Sequence, residues 1–171
     1  MSGGAPCAGC GVVLSDHDGP THPEIGASAA CWALYGELLT HEYAEMGLPE
    51  CHRLTVDAYA VQHPGQRGPD AIKLLGTHLA GLYLVLERDL DGPAATALKN
   101  RVAASDPGFA WLNPPGQNGA LTVKDVLALR EEMRHCEAIE AWARSVWEGW
   151  EIHHETVAGW VEGALEKAPQ A

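Results

Sequence analysis

The chain has 171 residues, a formal net charge of -12 at pH 7 and five cysteines. This length suits a single domain with a substantial core, which we predict over residues 1–171. The acidic charge disfavours nucleic acid and anionic membranes as partners, because either needs clustered Lys and Arg. No segment approaches the roughly 20 apolar residues of a membrane span, and the chain shows no export signal, so we expect a soluble cytoplasmic protein.

The beginning of the chain differs in composition from the remainder. Residues 1–26 are rich in Gly, Pro, Asp and His and lack a periodic apolar pattern. This composition predicts an irregular loop that something other than an apolar core must hold. We predict a helical bundle over residues 27–166. Its first helix is predicted to begin after the N-cap Ser28 and to run to about Glu45.

Three further helices follow from the apolar periodicity. The stretch CHRLTVDAYAVQHPG, residues 51–65, predicts a helix that ends just after His63, where proline and glycine stop it. A third helix is predicted from Pro69 to about Asp91, with the broad apolar face that is typical of a bundle interior. A weaker helix is predicted over residues 94–104.

The second half of the chain begins with a long loop. Residues 106–119 carry three Pro and three Gly, which makes this segment a candidate lid or binding loop. Thr122 followed by Asp125 predicts a capping box and a short helix to about Arg134. One long last helix is predicted over about residues 137–165. The predicted fold class is therefore all-α, a bundle of about five to six helices.

A CxxC motif near the start of the chain indicates a metal site. Two residues between Cys7 and Cys10 let both sulfurs reach one tetrahedral ion, and the following glycine permits the tight turn behind them. Closure needs two more ligands, for which His17, His22 and Cys31 are the nearby candidates. We favour Cys31 and His22, which predicts a structural zinc that holds the irregular loop to the first helix. A thioredoxin-like redox motif and unrelated free thiols are the alternatives.

The remaining polar patterns carry weaker signals. Cys51 and Cys136 stand alone in predicted helices, and we interpret them as small buried hydrophobic residues. An odd number of cysteines without an export signal also disfavours a disulfide framework. His41, Glu42 and Glu45 are interpreted as a solvated face.

A second candidate site consists of histidines that the predicted helices carry among apolar residues. They are His52, His63, His78, and His153 or His154. Bundles build metal sites from inward imidazoles on facing helices, and three histidines leave an open position for water or substrate. Asp57 and Tyr59 are the candidate catalytic groups beside this ion, as proton acceptors or as support for its ligands. Histidine with water suits zinc, nickel or ferrous iron, and an added carboxylate favours iron.

Two interpretations without a metal stay open for these histidines. They can form a polar acid–base network with neighbours such as Tyr59 and Gln62, or each can hold a separate structural hydrogen bond. Several imidazoles on apolar helices favour a shared role, because an unpaired buried imidazole is costly.

Four motifs occur in one order along the chain: CAGCG, GPTHPEIGASAACWALYGE, HRLTVDAYAVQHPG and WARSVWEGWEIHH. In these motifs the chain resembles a bacterial family of small cytoplasmic proteins catalogued as a domain of unknown function. The resemblance implies a fold shared with relatives and brings no activity. Glu24 and Ala29 depart from the family pattern, where an aromatic residue and a proline are common. The histidines are also loosely similar in architecture to those of the DinB-like helical metalloproteins.

The leading hypothesis is a metal-binding helical protein with a structural zinc and a separate histidine-rich site that acts on a small molecule. The competing hypothesis is a non-enzymatic interaction module, in which the zinc loop and the 106–119 loop form a docking surface. A metal-free small-molecule binder with a Trp-lined pocket is the third. The oligomeric state stays open, a homodimer included.

Overall fold

The computed structural model describes residues 3–167, which contain seven α-helices and no β-strand. The helices are α1 (Ala29–Thr40), α2 (His52–Gln62), α3 (Pro69–Leu86), α4 (Gly92–Ala104), α5 (Val123–Leu129), α6 (His135–Gly149) and α7 (His154–Lys167). The prediction of an all-α protein is confirmed. Over the described residues, no helix combines the length and the apolar character that crossing a membrane requires.

Helix α2 packs against both α3 and α6 and supplies much of the core. Most of its residues are buried, and these include the polar side chains of Thr55, Asp57 and Gln62. A helix that is buried on most faces cannot send its polar groups to water, so they need partners inside the protein. These partners define the sites described below.

The first helix changes its winding before it ends. Ser28 caps α1 by accepting a hydrogen bond from the backbone N–H of Cys31 (3.2 Å), as predicted. A π-helical turn over His41–Glu45 then continues the helix to the predicted end. The wider turn changes the direction of its side chains relative to an α-helix. Glu42 is fully buried while Glu45 is exposed, so the predicted solvated face is wrong for Glu42.

The predicted long last helix is interrupted. Helix α6 ends at Gly149, a 3₁₀-helical turn covers Glu151–His153, and α7 begins at His154. A Cβ atom added at Gly149 would lie 3.1 Å from the carbonyl oxygen of Gln117, so the preceding loop fills the space beside the break. The apolar pattern runs on through this point, which is why periodicity predicted one helix.

Helix α3 also ends earlier than predicted, at Leu86. Asp89 adopts a left-handed backbone conformation with φ of 51°, which an α-helix cannot continue. Asp91 instead caps α4, because its side chain accepts a hydrogen bond from the backbone N–H of Ala94 (2.9 Å).

The 106–119 loop is attached to the bundle through the buried side chain of Asn118. Its Nδ2 donates to the carbonyl of Gln62 (2.8 Å), and its Oδ1 accepts from Nε1 of Trp150 (2.7 Å). Gln62 in turn donates to the Asn118 carbonyl (2.8 Å) and accepts from Nε1 of Trp142 (3.1 Å). One end of the loop is thus held against α2 and α6, and its role as a lid or binding loop stays a prediction.

A disulfide joins Cys51, just before α2, to Cys136 in the first turn of α6. The two Cα atoms lie 5.5 Å apart, an ordinary distance for a disulfide, although 85 positions separate the residues in the chain. The interpretation of these cysteines as isolated hydrophobic residues is therefore wrong. Their pairing depends on the packing of α2 against α6, which no local pattern indicates.

Candidate metal centre

The CxxC segment forms a tight hook. The backbone N–H of Cys7 donates to the carbonyl of Val12 (2.9 Å), and that of Gly11 donates back to the Cys7 carbonyl (2.8 Å). Gly11 has a φ of 74°, a left-handed conformation that glycine adopts without strain. The hook therefore closes as the spacing of Cys7 and Cys10 predicts.

The third thiol comes from the first turn of α1. Cys31 is fully buried, and its Sγ lies 3.9 Å from Sγ of Cys10. Two outer groups support the sulfurs, since the backbone N–H of Ser28 donates to Cys7 Sγ (3.4 Å) and the hydroxyl of Tyr59 donates to Cys31 Sγ (3.5 Å). Hydrogen bonds of this kind orient the ligands of metal sites.

The fourth group is His63, which lies fully buried at the carboxyl end of α2. Its Nδ1 lies 2.8 Å from the carbonyl oxygen of Tyr59. A carbonyl only accepts hydrogen bonds, so Nδ1 carries the proton and Nε2 presents its lone pair. That Nε2 lies 3.4 Å from Sγ of Cys31, with the ring stacked on Tyr59 at a centroid distance of 4.1 Å.

These four side chains form a compact donor set. One ligand atom from each of Cys7, Cys10, Cys31 and His63 lies within 4.8 Å of the other three. In a tetrahedral zinc site, bond lengths near 2.0 to 2.3 Å place two sulfurs about 3.8 Å apart and a sulfur and a nitrogen about 3.6 Å apart. The Cys10–Cys31 and Cys31–His63 distances of 3.9 and 3.4 Å are close to these values. The four groups can therefore hold one metal ion.

Without a cation, the three thiols compete for protons. Hydrogen bonds with Cys10 and then Cys31 lower the pKa of Cys7 well below that of an ordinary thiol. Hydrogen bonds with Cys10 and Cys7, together with burial, raise the pKa of Cys31. The hydrogen bond with Cys31 lowers the pKa of Cys10. The hydrogen bond with Cys7 and burial outweigh this effect and raise that pKa to about 11. A divalent cation would stabilise all three as thiolates.

The structure corrects the prediction for the fourth ligand. His22 is exposed, its Nδ1 accepts from the backbone N–H of Glu24 (3.1 Å), and its ring packs on Trp32 at a centroid distance of 5.7 Å. His63 takes the predicted place of His22 because the loop returns to the end of α2. The backbone N–H of Gly26 donates to the His63 carbonyl there (2.9 Å).

The predicted histidine site does not form. Its members have separate hydrogen-bond partners: Glu42 for His52 (2.6 Å), Asp57 for His78 (2.6 Å), the carbonyl of Asn113 for His153 (2.9 Å) and the carbonyl of Trp147 for His154 (2.8 Å). His52 and His63 do share one side of α2, but eleven residues of α-helix span about 16 Å, which is too far for a common ion. Because the last helix breaks after α6, His153 and His154 do not take the positions that one continuous helix would give them.

The two candidate catalytic groups also lie in different surroundings. Oδ1 of Asp57 accepts from Nζ of Lys99 (2.7 Å) and from Nδ1 of His78 (2.6 Å). Tyr59 instead donates to Cys31, and burial raises the pKa of its phenol, so it acts as a neutral hydrogen-bond donor.

A pocket of about 290 Å³ opens beside the Asp57–Lys99 pair. Apolar side chains of α2, α3 and α4 form part of its wall, and the Cys51–Cys136 disulfide forms another part. A Cβ atom at Gly81 would lie 2.1 Å from Oδ2 of Asp57, so glycine at this position permits the carboxylate to sit against α3.

Sequence reasoning assigned His63 to the histidine site and not to the cysteine cluster. It also did not identify Lys99 as the partner of Asp57. A signal for Lys99 was present, because it follows buried Ala95 by four positions and precedes buried Val102 by three, which places it on the inward face of α4. For His63, the position immediately before the helix-ending proline and glycine was the available indication of a structural role.

No curated protein and no solved structure shows significant similarity to the chain. The model of the Family of unknown function (DUF5946) matches residues 5–151, a range that includes the four metal-centre residues and both disulfide cysteines. Since this match covers most of the sequence, the chain belongs to the Family of unknown function (DUF5946).

Proposed function

We propose that the protein is a zinc-stabilised helical module in which Cys7, Cys10, Cys31 and His63 hold one structural zinc ion. The observation that carries the proposal is the donor set itself: three sulfurs and one nitrogen within 4.8 Å of one another. Sulfur-rich tetrahedral sets select zinc over the harder divalent cations. Four protein ligands leave no position for water or substrate, which is the arrangement of structural zinc sites.

The ion would join three parts of the chain, of which the irregular segment contributes little to the apolar core. The hook at Cys7 and Cys10 belongs to the irregular segment, Cys31 belongs to α1, and His63 ends α2. The segment over residues 3–28 carries no helix and its side chains are largely exposed. Metal coordination would therefore supply the attachment that hydrophobic burial does not.

Metal analysis of two histidine variants tests this proposal. His63→Ala and His22→Ala each remove one imidazole, and His22 is the matched control because it lies outside the donor set. We expect one zinc per chain in the parent and in His22→Ala, and loss of zinc from His63→Ala after dialysis against a weak chelator. Loading with cobalt should give the intense thiolate-to-metal absorption of a sulfur-rich tetrahedral site in the parent and in His22→Ala.

The reverse pattern would contradict the proposal. Zinc retained in His63→Ala and lost from His22→Ala would return the fourth ligand to the irregular loop. Metal-free parent protein that binds no added zinc or cobalt would exclude the metal centre altogether.

A second candidate function is small-molecule binding in the pocket beside Asp57. The pocket volume of about 290 Å³ is near the lower end of ligand sites, and its wall combines apolar side chains with the buried Asp57–Lys99 pair. The bonds from Lys99 and His78 both use Oδ1, and a carboxylate has acceptor positions on both oxygens. A small ligand with an apolar body and a hydrogen-bond donor, such as an aliphatic amine or alcohol, fits this environment.

Ligand-observed NMR with a set of small aliphatic amines and alcohols tests the second candidate. Thr96→Phe should fill the pocket, since Thr96 lines it from α4. Ala97→Phe adds the same ring to the same helix at an exposed position outside the pocket. Binding that persists in Ala97→Phe and disappears in Thr96→Phe supports the pocket, and equal binding by both variants excludes it.

A further inference from the structure

We propose a second metal site, at Glu42, Cys51 and His135, which takes one divalent transition-metal ion when the Cys51–Cys136 disulfide is reduced. One ligand atom from each of the three residues lies within 4.8 Å of the other two, and all three residues are buried. The site lies apart from the sulfur-rich centre and shares no ligand with it. The inference is therefore independent of the proposed function.

The carboxylate of Glu42 is the centre of this cluster. It is fully buried, and it accepts hydrogen bonds from Nδ1 of His52 (2.6 Å), from the hydroxyl of Thr55 (2.6 Å) and from Nε2 of His135 (2.8 Å). A buried carboxylate is costly unless positive charge or several donors offset the loss of water. A metal ion would supply that charge, with His52 and Thr55 holding the carboxylate in place.

The second observation concerns His135, whose side chain is more than nine-tenths buried. Because Nε2 is bonded to Glu42, Nδ1 is the ring nitrogen left for another partner. Nδ1 is buried, and no group within residues 3–167 forms a hydrogen bond with it. A buried ring nitrogen without a partner is an unusual cost in a folded protein. The imidazole of His135 therefore has one ring nitrogen that no other described group uses.

The disulfide determines whether the third ligand is available. In the oxidised protein, Sγ of Cys51 is bonded to Sγ of Cys136 and cannot act as a thiolate ligand. A dithiol reductant would transfer two electrons and two protons, which converts the disulfide to two thiols and the reductant to its own disulfide. Cys51 then gives its proton to solvent as the metal binds. Both cysteines line the 290 Å³ pocket, which offers the reductant a path.

The ligand set indicates the class of ion. One thiolate, one imidazole and one carboxylate suit zinc, cobalt or ferrous iron and not magnesium or calcium, which prefer oxygen ligands. Three protein ligands leave one position for water or substrate, in contrast to the four-ligand centre. Because Cys51 faces the pocket, that open position would lie close to the pocket wall.

A matched pair of cysteine variants tests the proposal. Cys136→Ser and Cys51→Ser remove the same disulfide, but only Cys136→Ser keeps the thiol of Cys51. After zinc loading without oxygen and dialysis, we expect one more zinc per chain in Cys136→Ser than in Cys51→Ser. With cobalt, the added thiolate-to-metal absorption should likewise occur in Cys136→Ser alone. Adding Glu42→Gln to Cys136→Ser should remove the extra ion.

Equal metal content in the two cysteine variants would overturn the proposal. If either variant fails to fold by circular dichroism, the parent chain gives the same comparison, because its reduced form should bind one more ion than its oxidised form. Equal binding by those two forms would also overturn it. His63→Ala separates the two sites, since it should remove the sulfur-rich centre and leave the redox-dependent increment.

Discussion

Nε2 of His63 lies 3.4 Å from Sγ of Cys31, although 32 positions separate the two residues in the chain. The contact joins the end of α2 to the start of α1. A backbone hydrogen bond from Gly26 to the carbonyl of His63 (2.9 Å) holds the same junction from the loop side. The proposed metal centre therefore lies where three segments meet, and loss of its ion should affect the segment with the least support of its own.

Chelation of the metal should release the irregular segment and leave the helices folded. Residues 3–28 carry few buried apolar side chains, whereas α3 packs in the core. A metal ion present at 100 times its dissociation constant adds about 2.7 kcal/mol to the free energy of unfolding, and chelation would remove this contribution. Hydrogen-exchange mass spectrometry before and after chelation should show faster exchange over residues 3–28 and little change in α3. Uniform acceleration across the chain would show that the ion supports the whole fold.

Glu42→Ala should strongly destabilise the oxidised protein, and Glu45→Ala should not. Removing the Glu42 carboxylate leaves the buried donors of His52 and His135 without an acceptor, and leaves Thr55 with only the longer contact to the carbonyl of Cys51 (3.4 Å). Breaking a buried charged network of this kind costs about 3 to 5 kcal/mol. The exposed Glu45 side chain should change stability by no more than about 0.5 kcal/mol. Urea unfolding measures both values, and similar free energies of unfolding for the two variants would contradict the network.

Gln62→Leu should loosen the 106–119 loop. The Gln62 side chain accepts from Trp142 Nε1 and donates to the carbonyls of Asn118 and Leu121 at 2.7 to 3.1 Å. Leucine leaves these groups unpaired, at a cost on the order of 3 kcal/mol. Gln66→Leu is the control because Gln66 is exposed. Urea unfolding together with limited proteolysis should show lower stability and cleavage in the loop for Gln62→Leu alone, and equal resistance of the two variants would refute the loop attachment.

Two glycine substitutions should have opposite effects on stability. Gly81→Ala places a methyl group 2.1 Å from Oδ2 of Asp57 and must displace the Asp57–Lys99 pair, at a cost of about 1 to 3 kcal/mol. Gly159 lies in α7 with nothing within 4 Å of an added Cβ, so Gly159→Ala should stabilise the helix by about 0.5 to 1 kcal/mol. Thermal unfolding of the two variants should move in opposite directions, and a neutral Gly81→Ala would show that Asp57 has room to move.

Much of the fold could be predicted because its signals are local. The Ser28 cap, the capping box of Thr122 with Asp125, and the apolar periodicity of α3 each depend on residues within a few positions of one another. The closeness of Cys7 and Cys10 in the hook followed from the same kind of short-range geometry. The break after Gly149 escaped this approach, since it depends on a loop that packs against the helix from outside.

The sequence by itself therefore determined the all-α class and most helix positions, because hydrogen bonding and side-chain periodicity act within a few residues. It also predicted three of the four residues of the candidate metal centre, Cys7, Cys10 and Cys31. The tertiary structure decided the fourth residue of that candidate centre, His63, and the pairing of Cys51 with Cys136. It also decided the burial of Glu42. Each of these contacts joins segments far apart in the chain, where distance depends on how α1, α2 and α6 pack and on no pattern within one segment.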